Sequence, residues 1–380
     1  MENWSTHHIY QSAETKLGSS TASDLRAYAI ALSRKNLPVI FTLNHLSKIV
    51  GVDYQFLRET VARKRESANY RVFTIKKRSG GRRHIHSVTG QLFVVHDFIN
   101  SEVLQKQTPH TASHAFHPSG GIRKCAESHC GARWIFHYDL KDFFYSVTEA
   151  TVYEIFKKMG YRPLLAFELA RICTTTLLPN QLKSYLCRRW WRFEREKEHY
   201  KFYNYFKGGM GVLSQGASTS PMLGNLAARA LDIGLTKFSD KYGFVYTRYA
   251  DDLTLSISSE LPAKFSIGAI HQAIIKIINQ SGFKENSKKT RVSGPGAKKI
   301  VLGLLVDGQI PRISKETFKR IDRNLHAANK YGLVDVAKHE NFDSAIGFYN
   351  HLRGLVAFVK DVDLERWKLF NERFESLQLP

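Results

Sequence analysis

The chain has 380 residues, with 56 Lys or Arg against 34 Asp or Glu, so its formal net charge is +22. Hydrophobic residues at 43% and aromatic residues at 12% are ample for packed cores, and the length predicts two or three subdomains. The charge indicates a polyanionic partner, while the absence of signal-peptide character and of any apolar run near about 18 residues argues against a secreted or membrane-spanning protein.

Residues 1–69 are predicted to form an N-terminal helical region. Short polar residues that can cap helices precede three helical stretches. The predicted caps are Ser23 or Asp24 for a helix over residues 25–32, Thr42 for residues 43–50, and Asp53 for a helix that ends near residue 64.

Residues 70–306 are predicted to alternate strands with helices, beginning with a basic hairpin. Asp139 follows the apolar run Trp134–Tyr138, which has no Gly or Pro and predicts a buried strand. A loop of small residues, Leu213–Pro221, then precedes a helical stretch. Such a loop allows a close approach of backbone to a ligand, although an ordinary polar loop has the same composition.

The stretch Tyr249-Ala250-Asp251-Asp252 carries the most information. Strand-like residues Phe244–Arg248 precede it, and Leu253–Ser258 alternates apolar and polar residues, which predicts a half-buried strand. The two aspartates are therefore expected at the tip of a hairpin. Together with Asp139, they could hold two Mg²⁺ ions, and this arrangement predicts nucleotidyl transfer.

An arginine- and aromatic-rich segment lies at about residues 186–210. Arg interleaved with Trp suits contact with phosphates and stacking on single-stranded bases. An amphipathic helix packed on the protein, with solvated charges, explains the pattern equally well. The candidate RNA-binding residues are Arg188, Arg189, Trp190, Trp191, Arg192 and, outside this segment, His129.

Residues 307–380 are predicted to be helical, because apolar residues recur at three- and four-residue spacing. Examples are Phe318, Ile321 and Leu325. Of the four cysteines, Cys125 and Cys130 flank His129, but no second ligand cluster completes a zinc site. We expect reduced cysteines that bind no metal, in a cytoplasmic protein.

Five blocks in order resemble reverse transcriptases: a basic fingers segment at residues 76–85, Asp139 with an aromatic residue five positions on, Gln215-Gly216 before Ser220-Pro221, Tyr249–Asp252, and Asn286 before Lys289-Thr290. The resemblance implies an α+β right-hand polymerase with fingers, a palm of antiparallel sheet plus helices, and a helical thumb. Relative to compact members, the segment at about 186–210 looks like an insertion.

The resemblance also implies roles for individual residues. Lys289 would act as general acid, in competition with Lys288, and Phe144 would exclude a ribose 2′-OH unless it is simply a core aromatic. Arg83 would bind triphosphate, although it could be one more surface charge. The implied catalytic residues are Asp139, Asp251, Asp252 and Lys289; the implied metal-binding residues are Asp139, Leu140, Asp251 and Asp252; the implied substrate-binding residues are Arg83, Phe144, Gln215, Gly216 and Tyr249.

Within the superfamily the chain looks most like bacterial retron reverse transcriptases. It keeps Ala126 and His129 of their Asn-Ala-x-x-His segment but has Cys125 for Asn, and Leu302 replaces Thr in Val-Thr-Gly. The resemblance implies a structured noncoding RNA as template and primer, deoxynucleotides, a DNA product, priming from a 2′-OH, and a toxic effector partner in phage defence. A different bacterial defence reverse transcriptase and a catalytically silent RNA-binding scaffold are the alternatives.

Overall fold

The structure is a computed structural model that describes residues 5–76, 81–180, 209–262 and 266–377. Its contacts divide the chain into two compact units that interleave along the sequence. The first unit comprises Met1–Thr111, Lys141–Asp232 and Asn279–Lys284, and the second comprises Ala112–Leu140, Ile233–Ile278 and Glu285–Pro380. The boundaries predicted at residues 69/70 and 306/307 stay predictions.

Helices dominate the first unit. Its α-helices are α1 (Thr6–Leu17), α2 (Ser19–Arg34), α3 (Leu43–Val50), α4 (Tyr54–Val61), α5 (Glu66–Asn69), α6 (Gly90–Phe98), α8 (Glu149–Met159), α9 (Pro163–Ile172) and α10 (Ser220–Ala227). A π-helical stretch, Ile99–Leu104, extends α6, and a 3-10 turn spans Phe144–Ser146.

The predicted helix starts are correct in two cases and wrong in one. Thr42 caps α3 by accepting a hydrogen bond from the His45 backbone N–H, and Asp53 caps α4, which ends at Val61 rather than near residue 64. Ser23 and Asp24, however, lie inside α2. The chain turns at Gly18 with φ +84, a conformation that glycine adopts without strain, so α2 begins before the polar residues.

The basic hairpin of the first unit consists of antiparallel strands β1 (Tyr70–Lys76) and β2 (Arg82–Val88). Its register sets Ile75 opposite Arg83 and Phe73 opposite Ile85. Because side chains alternate along a strand, Arg83 and Ile85 share one face of β2 while His84 and His86 share the other. The hairpin predicted from the sequence is therefore confirmed.

A buried ion network joins the turn that follows α4 to helices α8 and α9 of the first unit. Glu149, at the start of α8, accepts from Arg63 Nη2 at 2.7 Å and from Arg171 Nε at 3.0 Å. It also accepts from the Gly211 backbone N–H at 2.9 Å. Burial disfavours the charge on Glu149, but Arg63, Arg171 and the Gly211 N–H outweigh it and lower the pKa of the carboxyl. The network therefore fixes the strand-like segment at residues 211–213.

The second unit contains a four-stranded antiparallel sheet in the order β4-β5-β3-β6. Its strands are β3 (Trp134–Asp139), β4 (Val245–Tyr249), β5 (Asp252–Ile257) and β6 (Arg291–Ser293). The prediction of a half-buried strand after the paired aspartates is wrong, because Leu253–Ile257 is buried on both faces. The polar members of β5 find partners inside the protein instead, as with Ser256, which bonds to His129.

Further helices and a small sheet complete the second unit. The small sheet pairs β7 (Ile300–Val301), β8 (Leu304–Leu305) and β9 (Arg312–Ile313). The helices are α7 (Ile122–Glu127), α11 (Arg229–Tyr242, which belongs to this unit from Ile233 onward), α12 (Ile267–Gln280), α13 (Lys315–Tyr331), α14 (Leu333–His339), α15 (Ala345–Lys360) and α16 (Leu364–Glu375).

The C-terminal helices carry the apolar pattern predicted for them. Ile321 and Leu325 of α13 and Phe348 and Leu352 of α15 have no solvent exposure and share one hydrophobic cluster with Val301. The α+β class predicted from the sequence is confirmed.

Candidate active site in the second unit

The two adjacent aspartates lie at the tip of the β4–β5 hairpin, as predicted. Tyr249 pairs with Asp252 in register, so Ala250 and Asp251 form the turn. Ala250 has φ +58, which is uncommon for a residue with a Cβ atom. Arg248, fully buried, donates from Nη1 to the Ala250 carbonyl oxygen at 3.1 Å. A buried guanidinium therefore stabilises the strained turn that presents Asp251.

Asp139 ends β3 directly opposite Asp252 in the β3–β5 register. The next residue, Leu140, donates its backbone N–H to the Asp251 carbonyl oxygen at 2.9 Å. Asp139 is 4% exposed, whereas solvent reaches Asp251 and Asp252. Two adjacent strands thus bring Asp139 together with two carboxylates that lie 112 and 113 positions later in the chain.

The block that contains Asn286 and Lys289 closes over Asp139. Asn286 donates from Nδ2 to Asp139 Oδ1 at 2.8 Å, and Lys289 Nζ lies 2.6 Å from Oδ2. Desolvation opposes the charge on Lys289, but the hydrogen bond to Asp139 and the charges of the three aspartates outweigh it and raise its pKa. Of the two neighbouring lysines, Lys289 is the one that the structure pairs with Asp139.

The carboxylates have the chemistry that a hard divalent cation requires. Desolvation, together with the negative charges of Asp251 and Asp139, raises the pKa of Asp252 to about 6. A bound cation would relieve this repulsion, and oxygen-only ligands suit Mg²⁺. Leu140 could contribute only its carbonyl oxygen. Within the described ranges, no three His, Cys, Asp or Glu side chains are grouped so that they could hold a metal ion in their present conformations. Both carboxylate oxygens of Asp139 instead accept hydrogen bonds, one from Asn286 and one from Lys289.

His129 does not face solvent, so its burial contradicts the predicted RNA contact. It is 1% exposed, with Nδ1 2.7 Å from Ser256 Oγ and Nε2 2.7 Å from Thr247 Oγ1. Burial lowers the pKa of the ring to about 3, so it is neutral. His129 therefore links β4 to β5 below the hairpin tip. Cys125 Sγ lies 3.2 Å from the same Thr247 hydroxyl.

Four of the five residues predicted to bind substrate lie in the first unit: Arg83, Phe144, Gln215 and Gly216. Phe144 begins the 3-10 turn and is half-buried, with its ring 5.2 Å from that of Phe143. Gln215 accepts a hydrogen bond on its backbone oxygen from the His86 N–H at 2.8 Å. Gly216 has φ +119, and a Cβ atom there would lie 2.8 Å from the His86 carbonyl oxygen. Glycine is therefore required where this loop meets β2.

Other predicted positions are exposed or lie outside the described residues. Arg83 is exposed on β2, on the same face as Ile85, whose Cγ2 approaches Gly216. Tyr249 is half-buried at the end of β4. The predicted RNA-binding residues Arg188, Arg189, Trp190, Trp191 and Arg192, and the fourth cysteine Cys187, lie outside the described part of the chain.

Sequence reasoning missed Arg248, which supports this site. It was treated only as one member of a strand. A basic residue that ends an otherwise apolar and strand-like run, as Arg248 does, is the one signal of this role in the sequence. Such a residue is seldom fully buried without partners.

Residues 75–301 match the family described as reverse transcriptase (RNA-dependent DNA polymerase). The chain belongs to this family. Two relatives match most of it: the retron Mx65 reverse transcriptase of Myxococcus xanthus is 31% identical over 93% of this chain and 76% of its own length. The retron Ec86 reverse transcriptase of Escherichia coli is 28% identical over 87% of this chain and 88% of its own.

These matches confirm the predicted resemblance to retron reverse transcriptases. The protein is a reverse transcriptase of the retron type and hence an RNA-directed DNA polymerase. Its mixed helices and antiparallel sheets agree with the expected α+β polymerase fold. Across the described residues, no helix is both long and apolar enough to cross a membrane.

Proposed function

We propose that this reverse transcriptase copies a cognate structured noncoding RNA into DNA by two-metal nucleotidyl transfer, within a retron-type antiphage system. The observation that supports the chemistry best is the register of β3 and β5, which sets Asp139 opposite Asp252, with Asp251 in the adjoining turn.

Asp139, Asp251 and Asp252, with the carbonyl oxygen of Leu140, would hold two Mg²⁺ ions. Ions bound there supply activation of the attacking hydroxyl and stabilisation of the charge on the departing pyrophosphate. The raised pKa of Asp252 supports this assignment, because crowded carboxylates favour a cation.

The chain's own groups supply proton transfer and selection. Lys289 stays protonated because its pKa is raised. Its Nζ lies 2.6 Å from Asp139 Oδ2, beside the carboxylates, where it would donate a proton to pyrophosphate as it leaves. The half-buried ring of Phe144 would exclude a 2′-OH, and Gln215 and Gly216 would position the deoxynucleotide. Exposed Arg83 would bind its triphosphate, since guanidinium pairs well with phosphate oxygens. Tyr249, beside Asp252 in register, would contact the substrate.

The net charge of the protein and the identity of its relatives support the binding partners that we propose. A net charge of +22 favours a polyanion, and the matched proteins are named retron reverse transcriptases. We infer a structured noncoding RNA that is both template and primer, priming from a 2′-OH, and a toxic effector protein as defence partner. A cytoplasmic location is the inference from the cysteine pattern.

Replacing Asp251 and Asp252 with Ala tests the chemistry. The double variant should lose DNA synthesis and keep its RNA affinity, because metal binding and backbone contact use different groups. Continued deoxynucleotide incorporation would refute the metal assignment.

Sequencing the nucleic acid that copurifies with the protein tests the retron assignment separately. A branched RNA–DNA hybrid supports it. DNA without an attached RNA would favour a different bacterial defence reverse transcriptase, an alternative that the unusual residues Cys125 and Leu302 suggest.

A further inference from the structure

Phe116 combines backbone strain with exposure of a large apolar ring. Its φ is +64, in the left-handed region that a bulky residue rarely adopts, and it is 40% exposed. The small neighbours Ala112 and Ala115 are buried at 8% and 0% exposure. The local backbone thus buries alanines and leaves the phenylalanine at the surface, the reverse of the arrangement that hydrophobic burial favours. Strain retained in this way clusters at functional sites.

Hydrogen bonds on both sides hold Phe116 in this conformation. Upstream, His114 N–H donates to the Arg248 carbonyl at 2.8 Å and Arg248 N–H donates to the Ala112 carbonyl at 2.7 Å, which ties the loop to β4. Downstream, Gly121 N–H donates to the His114 carbonyl at 2.8 Å, and His117 Nε2 lies 2.7 Å from the Ser113 carbonyl oxygen. The surrounding loop therefore fixes where the Phe116 ring stands.

The ring stands beside the catalytic hairpin. Its centroid is 6.4 Å from that of Tyr249, with the two rings tilted by 43°. Tyr249 in turn pairs with Asp252, one residue from the strained turn at Ala250. The two aromatic side chains therefore form an apolar surface next to the carboxylates, which we call the Phe116–Tyr249 surface.

We propose that the Phe116–Tyr249 surface binds the sugars at the growing 3′ end of the DNA strand, which acts as the primer once the first nucleotide has been joined to the RNA. The inference rests on the proposed function, because the hydroxyl that attacks must lie at the carboxylates of Asp251 and Asp252. Successive nucleotides are about 3.4 Å apart along a strand, so the terminal sugars lie within reach of this surface. Stacking covers both faces of every primer base except the last, whose open face receives the incoming nucleotide, so the sugar carbons are the apolar group available to an aromatic ring.

The size of the contact sets the expected effect. A phenylalanine side chain exposes about 200 Å² when free, so the 40% of Phe116 that is exposed amounts to about 80 Å². At about 25 cal/mol per Å², complete burial of that area corresponds to at most about 30-fold in affinity.

Phe116→Gly and Phe116→Ala form a matched pair for the test. Both remove the ring, but only glycine is relaxed at φ +64. Affinity is measured in EDTA, by titration with a template RNA annealed to a DNA primer and with the same RNA unprimed. We expect both variants to bind the primed template up to about 30-fold more weakly and to bind unprimed RNA like the parent. Thermal melting should show Phe116→Gly at least as stable as Phe116→Ala.

Three results would overturn the proposal. One is parent-like affinity of both variants for primed RNA; another is an equal loss for primed and unprimed RNA, which assigns the ring to the template. The third is a loss confined to Phe116→Ala, which assigns the effect to backbone strain. Binding is measured without metal, so it does not depend on catalysis. If the parent protein makes no DNA in the presence of Mg²⁺, the proposed chemistry is refuted, but the comparison of primed with unprimed RNA still stands.

Discussion

Replacing Gly216 with Ala should displace the loop of small residues Leu213–Pro221, which carries Gln215. The new Cβ atom would lie 2.8 Å from the His86 carbonyl oxygen and 2.9 Å from Ile85 Cγ2, distances too short for a carbon atom. Since β2 is paired along its length with β1, the loop is the part that must move. Moving it breaks the hydrogen bond from His86 N–H to Gln215 and shifts the residue proposed to position the nucleotide.

The magnitude follows from two contributions. Alanine at φ +119 costs on the order of 1–3 kcal/mol. Losing the hydrogen bond between His86 and Gln215 costs about 0.5–1.5 kcal/mol more. The free energy of unfolding should therefore fall by about 1.5–4.5 kcal/mol. The KM for deoxynucleotides should rise about tenfold if one nucleotide contact of Gln215 is lost.

Gly160→Ala is the matched control for Gly216→Ala. Gly160 has a similar φ of +115, but its nearest neighbour is the flexible Leu32 side chain at 3.4 Å. This control should lose about 1–3 kcal/mol of stability and keep the parental KM. Urea unfolding and steady-state kinetics measure both quantities. If Gly216→Ala has a parental KM despite lower stability, the close approach at Gly216 does not position Gln215 and the reasoning fails.

Three further predictions test other parts of the molecule. Phe144→Ala should admit ribonucleotides, because removing the ring opens space for a 2′-OH; an unchanged ratio of ribo- to deoxynucleotide incorporation in an active variant would leave Phe144 a core residue. Burial raises the pKa of Glu168 to about 7, despite Arg58 3.9 Å away. The folded protein therefore favours the protonated carboxyl, and the stability that this form contributes is lost as pH rises from about 4.5 to about 7. Glu168→Gln should therefore stabilise the protein at pH 8, by at most about 3 kcal/mol in urea unfolding, and have little effect at pH 4; equal effects at both pH values would contradict the shift. Thr247→Val should remove a partner of buried His129 and cost about 1–3 kcal/mol while RNA affinity stays parental; weaker RNA binding in a stable variant would restore the RNA contact predicted for His129.

The sequence predicted the catalytic hairpin and β3 because their signals are local. Asp139 follows an apolar run, and the turn at Ala250–Asp251 lies between two strand-like runs. Thr42 was identified as a cap because its side chain acts within three residues of its own position. Patterns of this range are present in a single stretch of sequence.

The sequence could not predict interactions between distant residues. The alternation in β5 suggested a solvent-facing side, yet Ser256 is buried against His129, which is 127 positions away. His129 was assigned to RNA for the same reason, since no local pattern distinguishes a buried neutral histidine from an exposed one. The predicted start of α2 was wrong because the chain turns at Gly18 and the helix begins there, before the two good capping residues Ser23 and Asp24.

The buried network of Arg63, Glu149 and Arg171 has a consequence for how this protein can evolve. Removing Glu149 takes away the carboxylate that compensates two buried guanidinium groups, at a cost of about 3–5 kcal/mol, whereas a well-packed apolar replacement of all members is often tolerated. Most single-step paths between these two states pass through a poorly folded intermediate. The three positions are therefore expected to covary among homologues, and recombination that separates residue 63 from residues 149 and 171 should yield chimaeras that fold only when all three come from one parent.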